Sequence, residues 1–193
     1  AMSRLVVHKS IKDELLGKLV DLGKSLKVGP GYEEGSELTP VISQNQLDKV
    51  EGYARSGIQA GAEAVHGGKR VDREGYFMEA TVLDKVTQDM TVAREEIFGP
   101  VLSVLEYEEP EEAIHIANDT EYGLGAGVFT KDLDKASWTA SKLESGQVYV
   151  NKWFTGSHAT PFGGYKQSGY SREKGQQALN AYLQIKNVGI SLS

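Results

Sequence analysis

Residues 101–118 read VLSVLEYEEPEEAIHIAN, and this stretch decides the fold class. Its apolar run from Val101 to Tyr107 predicts a buried strand. Pro110 suits the first turn of a helix, because that position needs no N–H donor and the proline ring already fixes a helical φ. Ile114 continues an apolar stripe along the helix. A strand that leads directly into a helix is typical of α/β proteins.

The same alternation extends to both sides of this stretch. Short apolar segments predict four more strands: 4–8, 80–86, 124–129 and 147–151. Helical periodicity and capping residues predict four more helices: one from Ser10 with Asp13 as its capping-box partner, one from Ser43 through Val65, one from Asp132 to before Gly146, and one over about 171–182. Together they predict one α/β unit with a mainly parallel sheet. Function in such sheets collects at the carboxyl ends of strands, so the loops after Thr91 and Asn151 are the candidate sites.

The composition excludes several classes of protein. The chain has 193 residues, of which 39% are hydrophobic and 25% are charged, as in a globular domain. Its net charge of −6 lacks the basic footprint of a nucleic-acid-binding protein. No apolar run approaches the ~20 residues of a membrane helix. Cysteine is absent, which excludes disulfides, cysteine zinc sites and any thiol nucleophile from these residues, and fits a reducing, cytoplasmic compartment.

Two common motifs are missing. Glycines at positions 123, 125 and 127 lie inside a predicted strand, so they lack the strand-to-helix context of a dinucleotide-binding turn. The four histidines are scattered, with no pair at the spacing of helical metal ligands: His8, His66, His115 and His158. We therefore predict no metal site.

Three segments carry a resemblance to a known family. Glu95–Val101 reads EEIFGPV, Tyr122–Thr130 reads YGLGAGVFT, and Pro161–Tyr165 reads PFGGY. In this order and spacing, the chain resembles the carboxyl-terminal part of the NAD(P)-dependent aldehyde dehydrogenase superfamily. The resemblance implies a three-layer α/β/α sandwich of the catalytic-domain type over residues 1–182, followed by an oligomerisation strand over residues 183–193.

The resemblance also implies a chemistry. In the family, a cysteine thiolate attacks the aldehyde carbon, hydride passes to NAD or NADP, and a water activated by glutamate hydrolyses the thioester to the acid. The nucleophile stands two positions before the residue that matches Ala1, and the base and the nucleotide-binding domain lie further upstream. We therefore expect a catalytic-domain fragment that is inactive alone, binds no nucleotide tightly, and exposes an apolar patch or an unpaired strand edge. The alternative is a non-catalytic, stand-alone binding or assembly module.

Four residues match cofactor-binding positions of the family. Glu96 resembles the carboxylate that holds the nicotinamide ribose, because a carboxylate accepts two hydrogen bonds from a diol. Phe98 resembles the aromatic residue beside the nicotinamide, and Lys49 and Gln46 match positions near the ribose. Each has a simpler interpretation. Glu96 is then a solvated loop acid, Phe98 a core residue, Lys49 a helix surface charge, and Gln46 the partner of a Ser43 cap.

The loop at residues 152–160, KWFTGSHAT, resembles the substrate-entrance loop of the family. Trp153 and Phe154 are expected to form an aromatic wall, and Phe162 matches a residue that lines the aldehyde funnel. Such walls favour apolar or aromatic aldehydes. Core packing of these aromatic residues is the alternative, and Lys152 with His158 would instead favour an anionic substrate.

Glu173 resembles a second glutamate of the family, linked to proton handling near the thioester. Its alternative role is to stabilise the dipole of the helix predicted over 171–182, in whose first turn it falls. The apolar tail, including Ile185 and Ile190, resembles a strand of an intersubunit sheet. We therefore expect a homo-oligomer that acts on a small aldehyde, with no nucleic-acid or membrane partner.

Overall fold

A computed structural model describes residues 2–192 of the chain. These residues form two compact units, the first ending at Asp119 and the second beginning at Thr120. Ala1 and Ser193, the outer ends of the two predicted segments, lie outside the described residues. The predicted boundary between residues 182 and 183 stays a prediction.

The first unit is a four-stranded sheet with helices. Its elements are, in chain order, β1 (Arg4–His8), α1 (Lys9–Ser25), α2 (Gln44–Gln59), β2 (Glu63–His66), β3 (Thr81–Asp84), α3 (Thr91–Arg94), β4 (Val101–Tyr107) and α4 (Pro110–Asn118). The strand order is β1-β4-β3-β2. Strand β4 pairs in parallel with β1 and β3, and β2 joins β3 antiparallel. The predicted α/β class is therefore confirmed, and this sheet is mixed, with two parallel pairings and one antiparallel. The expected single sheet is not observed, because the strands of residues 2–192 lie in this four-stranded sheet and in two separate pairs.

Helix α2 supplies much of the core of the first unit. Leu47, Val50 and Ala54 recur at helical spacing and are fully or almost fully buried. They belong to one cluster with Leu83 of β3 and Leu105 of β4. Burying a leucine or valine side chain stabilises a fold by about 1.5–3 kcal/mol. This packing fixes α2 rigidly against the sheet, and α2 carries two of the predicted site residues.

The predicted start of α1 is wrong in detail. The helix begins at Lys9, and the imidazole Nδ1 of His8 accepts a hydrogen bond from the backbone N–H of Ser10 at 3.1 Å. Ser10 therefore lies inside the first turn, and it does not form a capping box with Asp13. A histidine that can accept from a free N–H of the first turn replaces the expected serine cap.

The predicted end of α2 is also wrong. Ser43 caps the helix as expected, but the helix ends at Gln59. Gly61, at φ 110°, turns the backbone, and Glu63–His66 then forms β2 against β3. The apolar spacing through Val65 predicted helix here, but the backbone of residues 63–66 pairs with β3 and is therefore a strand.

An ion cluster links α1 to the sheet. The ammonium Nζ of Lys12 lies 2.8 Å from Glu106 of β4 and 3.5 Å from Asp84 of β3. Asp84 is buried, and Lys12 is mostly shielded from water. The hydrogen bond with Glu106, assisted by the charge of Asp84, raises the pKa of Lys12 above its ordinary value, although burial opposes this.

The second unit contains two separate strand pairs. Its elements are β5 (Tyr122–Gly123), β6 (Gly125–Val128), α5 (Leu133–Lys142), β7 (Gln147–Val150), β8 (Tyr165–Lys166) and a 3₁₀ helix (Gln176–Tyr182). Strands β6 and β7 pair in parallel, and β5 and β8 pair antiparallel. Asp132 caps α5 by accepting from the N–H of Lys135, as its position predicts.

The helix predicted over residues 171–182 is wrong in its first part. The backbone groups of Glu173 exchange two hydrogen bonds of 2.7 Å with Phe162, which holds the segment extended. Gly175, at φ 57°, then leads into the 3₁₀ helix that begins at Gln176. A pairing between distant residues therefore overrides the local helical pattern.

The second unit exposes much of its apolar surface. Of the apolar side chains described in it, only Ala136 and Tyr149 are buried. Across residues 2–192, strands β6 and β7 pair with no strand other than each other. The expectation of exposed apolar surface and unpaired strand edges is thus met. No helix between residues 2 and 192 is long and apolar enough to cross a membrane.

Candidate cofactor and substrate sites

The first predicted site lies on the segment 95–100, between α3 and β4. The carbonyl of Pro100 accepts from the N–H of Thr81, the first residue of β3, at 2.8 Å. The segment is therefore at the amino end of the parallel strands β3 and β4, not at the carboxyl end where we expected function to collect. The reason is the connection through α3, which carries the chain back to the start of the next parallel strand.

Gln46 holds this segment from α2. Its side-chain amide donates to the carbonyl oxygens of Ile97 and Phe98, each at 3.1 Å. Its backbone N–H donates separately to Oγ of Ser43. The capping interpretation therefore applies to the backbone of Gln46 alone, and its side chain is engaged by the segment that carries Glu96.

Glu96 and Phe98 both face solvent. The carboxylate of Glu96 has no hydrogen bond or ion pair with the described residues and can accept from a diol. Phe98 is 75% exposed, so the interpretation as a core residue is wrong. Its backbone φ is 57°, a left-handed conformation that costs energy in a residue with a side chain. Ile97 between them is buried and anchors the segment.

Lys49 is connected to the same segment by Tyr53, whose side chain contacts both Lys49 and Glu95. The Nζ atom of Lys49 lies 5.7 Å from the centroid of the Tyr53 ring. The Tyr53 hydroxyl donates to the carboxylate of Glu95 at 2.5 Å. The sequence analysis missed Tyr53 and Glu95. The available signal was that Tyr53 follows Gln46 by seven residues, which places both on one face of α2.

In the second unit, the predicted substrate residues meet around Tyr149. Ring centroids are 5.8 Å apart for Tyr149 and Trp153, 6.0 Å for Tyr149 and Phe154, and 6.4 Å for Phe154 and Phe162. Trp153 and Phe154 remain partly exposed, so the alternative of pure core packing is not met. Tyr149 is the buried member of this group, and the sequence analysis did not select it.

Glu173 is joined to the aromatic group by its backbone pairing with Phe162. The ammonium of Lys174 lies 5.3 Å from the Phe162 ring centroid and 6.0 Å from that of Phe154. Because Glu173 is not in a helix, its alternative role at a helix dipole is wrong. Lys152 and His158 are both exposed. No cluster of three or more potential metal ligands occurs between residues 2 and 192.

The structure thus defines an α/β protein with an exposed acidic and aromatic loop in one unit and an aromatic surface in the other. A model of the aldehyde dehydrogenase family matches residues 1–188. The chain belongs to the aldehyde dehydrogenase family.

Similar proteins span a longer sequence. The chain is 40% identical over 188 residues to a mitochondrial aldehyde dehydrogenase of Leishmania tarentolae, covering 97% of this chain and 38% of that protein. It is 44% identical over 193 residues to aldehyde dehydrogenase family 2 member B4, mitochondrial, of Arabidopsis thaliana, covering 100% of this chain and 36% of that protein. The chain therefore spans less than two fifths of the length of these relatives.

Solved structures give the same relationship. The NAD⁺ complex of aldehyde dehydrogenase from Bacillus cereus has a TM-score of 0.95 and 40% identity, covering 99% of this chain and 39% of that one. Betaine aldehyde dehydrogenase from Staphylococcus aureus in complex with NAD⁺ has a TM-score of 0.90 and 42% identity, covering 93% of this chain and 37% of that one.

Proposed function

We propose that this chain supplies the catalytic-domain part of an NAD(P)-dependent aldehyde dehydrogenase, which oxidises an aldehyde to a carboxylic acid. The observation that carries the proposal is the unengaged carboxylate of Glu96 on a segment that Gln46 holds in place. Family membership and the NAD⁺ complexes of similar proteins support it. The proposed architecture of the whole domain is a three-layer α/β/α sandwich.

Four residues are proposed to bind the nucleotide. The exposed carboxylate of Glu96 accepts hydrogen bonds from the ribose hydroxyls, and the exposed ring of Phe98 contacts the nicotinamide end. Lys49 supplies a positive charge nearby, and Gln46 holds the segment. When bound, the nucleotide supplies the hydride acceptor. The proposal includes both NAD and NADP.

The aromatic surface of the second unit is proposed to receive the aldehyde. Trp153, Phe154 and Phe162 bury apolar substrate surface, which favours apolar or aromatic aldehydes. Exposed Lys152 and His158 support a second preference, for anionic aldehydes, and the choice between the two is tested by comparing benzaldehyde with a carboxylated aldehyde. Glu173, paired to Phe162, is proposed to assist proton handling.

The proposed assembly is a homo-oligomer in the cytoplasm. Residues 183–192 form no strand within the described part of the chain, and Ile185, Val188 and Ile190 are exposed. These apolar side chains support pairing of the tail with a second copy. Sedimentation of the whole protein tests the assembly.

The 193-residue chain is proposed to be inactive alone, because it has no cysteine to attack an aldehyde. The test is NADH formation with aldehyde and NAD, at high concentration of the purified chain and with the whole protein that contains it. We expect the whole protein to form NADH and the 193-residue chain to form none. Robust turnover by the chain itself would contradict the proposal.

The second candidate function is a stand-alone binding or assembly module. A chain without a cysteine nucleophile is compatible with such a module. The codons before Ala1 separate the two. An in-frame Gly-Gln-x-Cys segment supports a catalytic enzyme, and a stop codon supports the module.

We also propose that the 193-residue chain binds nucleotide only weakly. The chain is expected to bind NAD with a Kd in the millimolar range or weaker, about −4 kcal/mol, because most nucleotide contacts are expected outside it. Titration calorimetry that gives micromolar binding would overturn this part.

A further inference from the structure

We propose that Tyr53 is a positioning residue that fixes the segment carrying Glu96 and Phe98. This inference rests on the proposed nucleotide-binding role of that segment. Neither Tyr53 nor its partner Glu95 belongs to the set of nucleotide-binding residues proposed above. The hydrogen bond between Tyr53 and Glu95 restrains the position of Glu96, because Glu95 immediately precedes Glu96 in the chain.

Three residues of α2 hold the segment at successive points. Gln46, Val50 and Tyr53 are spaced by four and three residues, so they share one helix face. Gln46 binds the carbonyls of residues 97 and 98. Val50 packs so closely against Gly99 that a Cβ built there would lie 2.5 Å from Val50 Cγ2.

Tyr53 holds the end of the segment that Gln46 does not reach. Its hydroxyl donates to the carboxylate of Glu95 at 2.5 Å, a charge-assisted hydrogen bond that is stronger than one between neutral groups. Gln46 and Val50 restrain only the residues after Glu96, and the backbone N–H of Glu95 donates to the carbonyl of Thr91 in α3 at 3.0 Å, so Tyr53 adds the restraint on the Glu95 side chain. Glu96 is therefore held on one side by Tyr53 and on the other by Gln46.

Tyr53 also orients Lys49. The ammonium of Lys49 lies 5.7 Å from the Tyr53 ring centroid, at the distance of a cation–π contact. One side chain thus contacts both the helix cation and the acidic segment proposed to bind the nucleotide. Removing only the hydroxyl separates these two roles, because the ring and its contact with Lys49 remain.

The first test uses hydrogen–deuterium exchange in the 193-residue chain, where nucleotide binding plays no part. We expect Tyr53→Phe and Glu95→Ala to lower the protection factor of the residue-95 amide, which donates to the carbonyl of Thr91 at 3.0 Å, by about fivefold or more. The double variant exchanges no faster than either single variant, because both remove one hydrogen bond. Glu95→Gln restores slow exchange, since its amide oxygen can still accept.

The matched control is Tyr32→Phe, which removes a hydroxyl from a side chain that is 89% exposed. We expect it to leave the protection factor of the residue-95 amide unchanged. Unchanged exchange in both Tyr53→Phe and Glu95→Ala would overturn the positioning role of Tyr53. This result does not depend on whether the proposed enzymatic function is correct.

The second test is steady-state kinetics of the whole protein. Tyr53→Phe is expected to raise KM for NAD by about fivefold, with kcat and the KM for aldehyde changed less than twofold, because the loss is one of cofactor positioning. Faster exchange without any change in KM for NAD would overturn the inference that the contact serves nucleotide binding. Failure of the proposed function is a separate result, in which the unmodified whole protein forms no NADH.

Discussion

The side-chain amide of Gln46 donates a hydrogen bond of 3.1 Å to the carbonyl of Phe98, a residue whose backbone is left-handed at φ 57°. The same amide binds the carbonyl of Ile97. Because α2 is anchored in the core by Val50, the shape of the segment at residues 97–98 depends on a helix more than forty positions earlier in the chain. This contact connects core packing to the proposed nucleotide site.

Gln46→Ala removes the donor for both carbonyl oxygens. We expect the first unit to lose about 1–2 kcal/mol of unfolding free energy, because a partly buried carbonyl loses its partner. Urea denaturation followed by circular dichroism measures this. The matched control is Gln44→Ala, since Gln44 lies on the same helix and binds only exposed Asp48. An equal effect of both variants would contradict the holding role of Gln46.

Phe98 is predicted to carry backbone strain. Since its side chain is 75% exposed, replacement loses little packing, and the backbone term decides the result. Phe98→Gly should be more stable than Phe98→Ala by up to about 1 kcal/mol, because glycine adopts positive φ without a Cβ penalty. Comparison of the two urea midpoints checks this. A more stable alanine variant would show that residue 98 is not strained.

Lys12 should make stability depend on pH at the alkaline end. Its pKa in the folded state is raised above 10.5, chiefly by the hydrogen bond with Glu106. Its contribution is therefore complete below pH 10.5 and is lost as the pH rises through the raised pKa. Lys12→Met should cost about 1–2 kcal/mol at pH 8, because Asp84 is left buried without its cation.

The measurement is the difference in unfolding free energy between the unmodified chain and Lys12→Met from pH 8 to 11.5. This difference should shrink at the highest pH. The control is Lys18→Met, which removes an exposed pair with Glu14 and should change stability by less than about 0.5 kcal/mol. A difference that stays constant across the range would exclude the linkage to Lys12.

Gly175 should be intolerant of a side chain. Its backbone has φ 57° and ψ −173°, and a Cβ there would lie 3.0 Å from the Pro161 nitrogen. We expect Gly175→Ala to destabilise the second unit by about 1–3 kcal/mol. Both tryptophans lie in this unit, so fluorescence during urea denaturation reports it. Gly189→Ala is the control, because no atom lies within 4 Å of its added Cβ.

Local sequence signals predicted local structure well. The strand Val101–Tyr107 and the helix start at Pro110 have the predicted bounds, because apolar run length and proline geometry act within a few residues. The predicted helix over 171–182 failed in its first part, because Glu173 pairs with Phe162, which lies eleven positions earlier in the chain. No local pattern carries such a contact.

The same limit applies to the candidate site. Family resemblance selected Glu96 and Phe98, and the structure places both on an exposed segment. Tyr53 was missed because its value depends on the bond to Glu95, which lies 42 residues away in the chain.

The central claim is that Glu96 holds the nucleotide, and steady-state kinetics of the whole protein test it most directly. Glu96→Gln should lower kcat/KM for NAD by about tenfold or more, because hydrogen bonds to a carboxylate are worth about 1.5–3 kcal/mol. Glu74→Gln, an equal change of charge on an exposed loop, should have no effect. Equal kcat/KM values for NAD in the Glu96→Gln, Glu74→Gln and unmodified proteins would contradict the account.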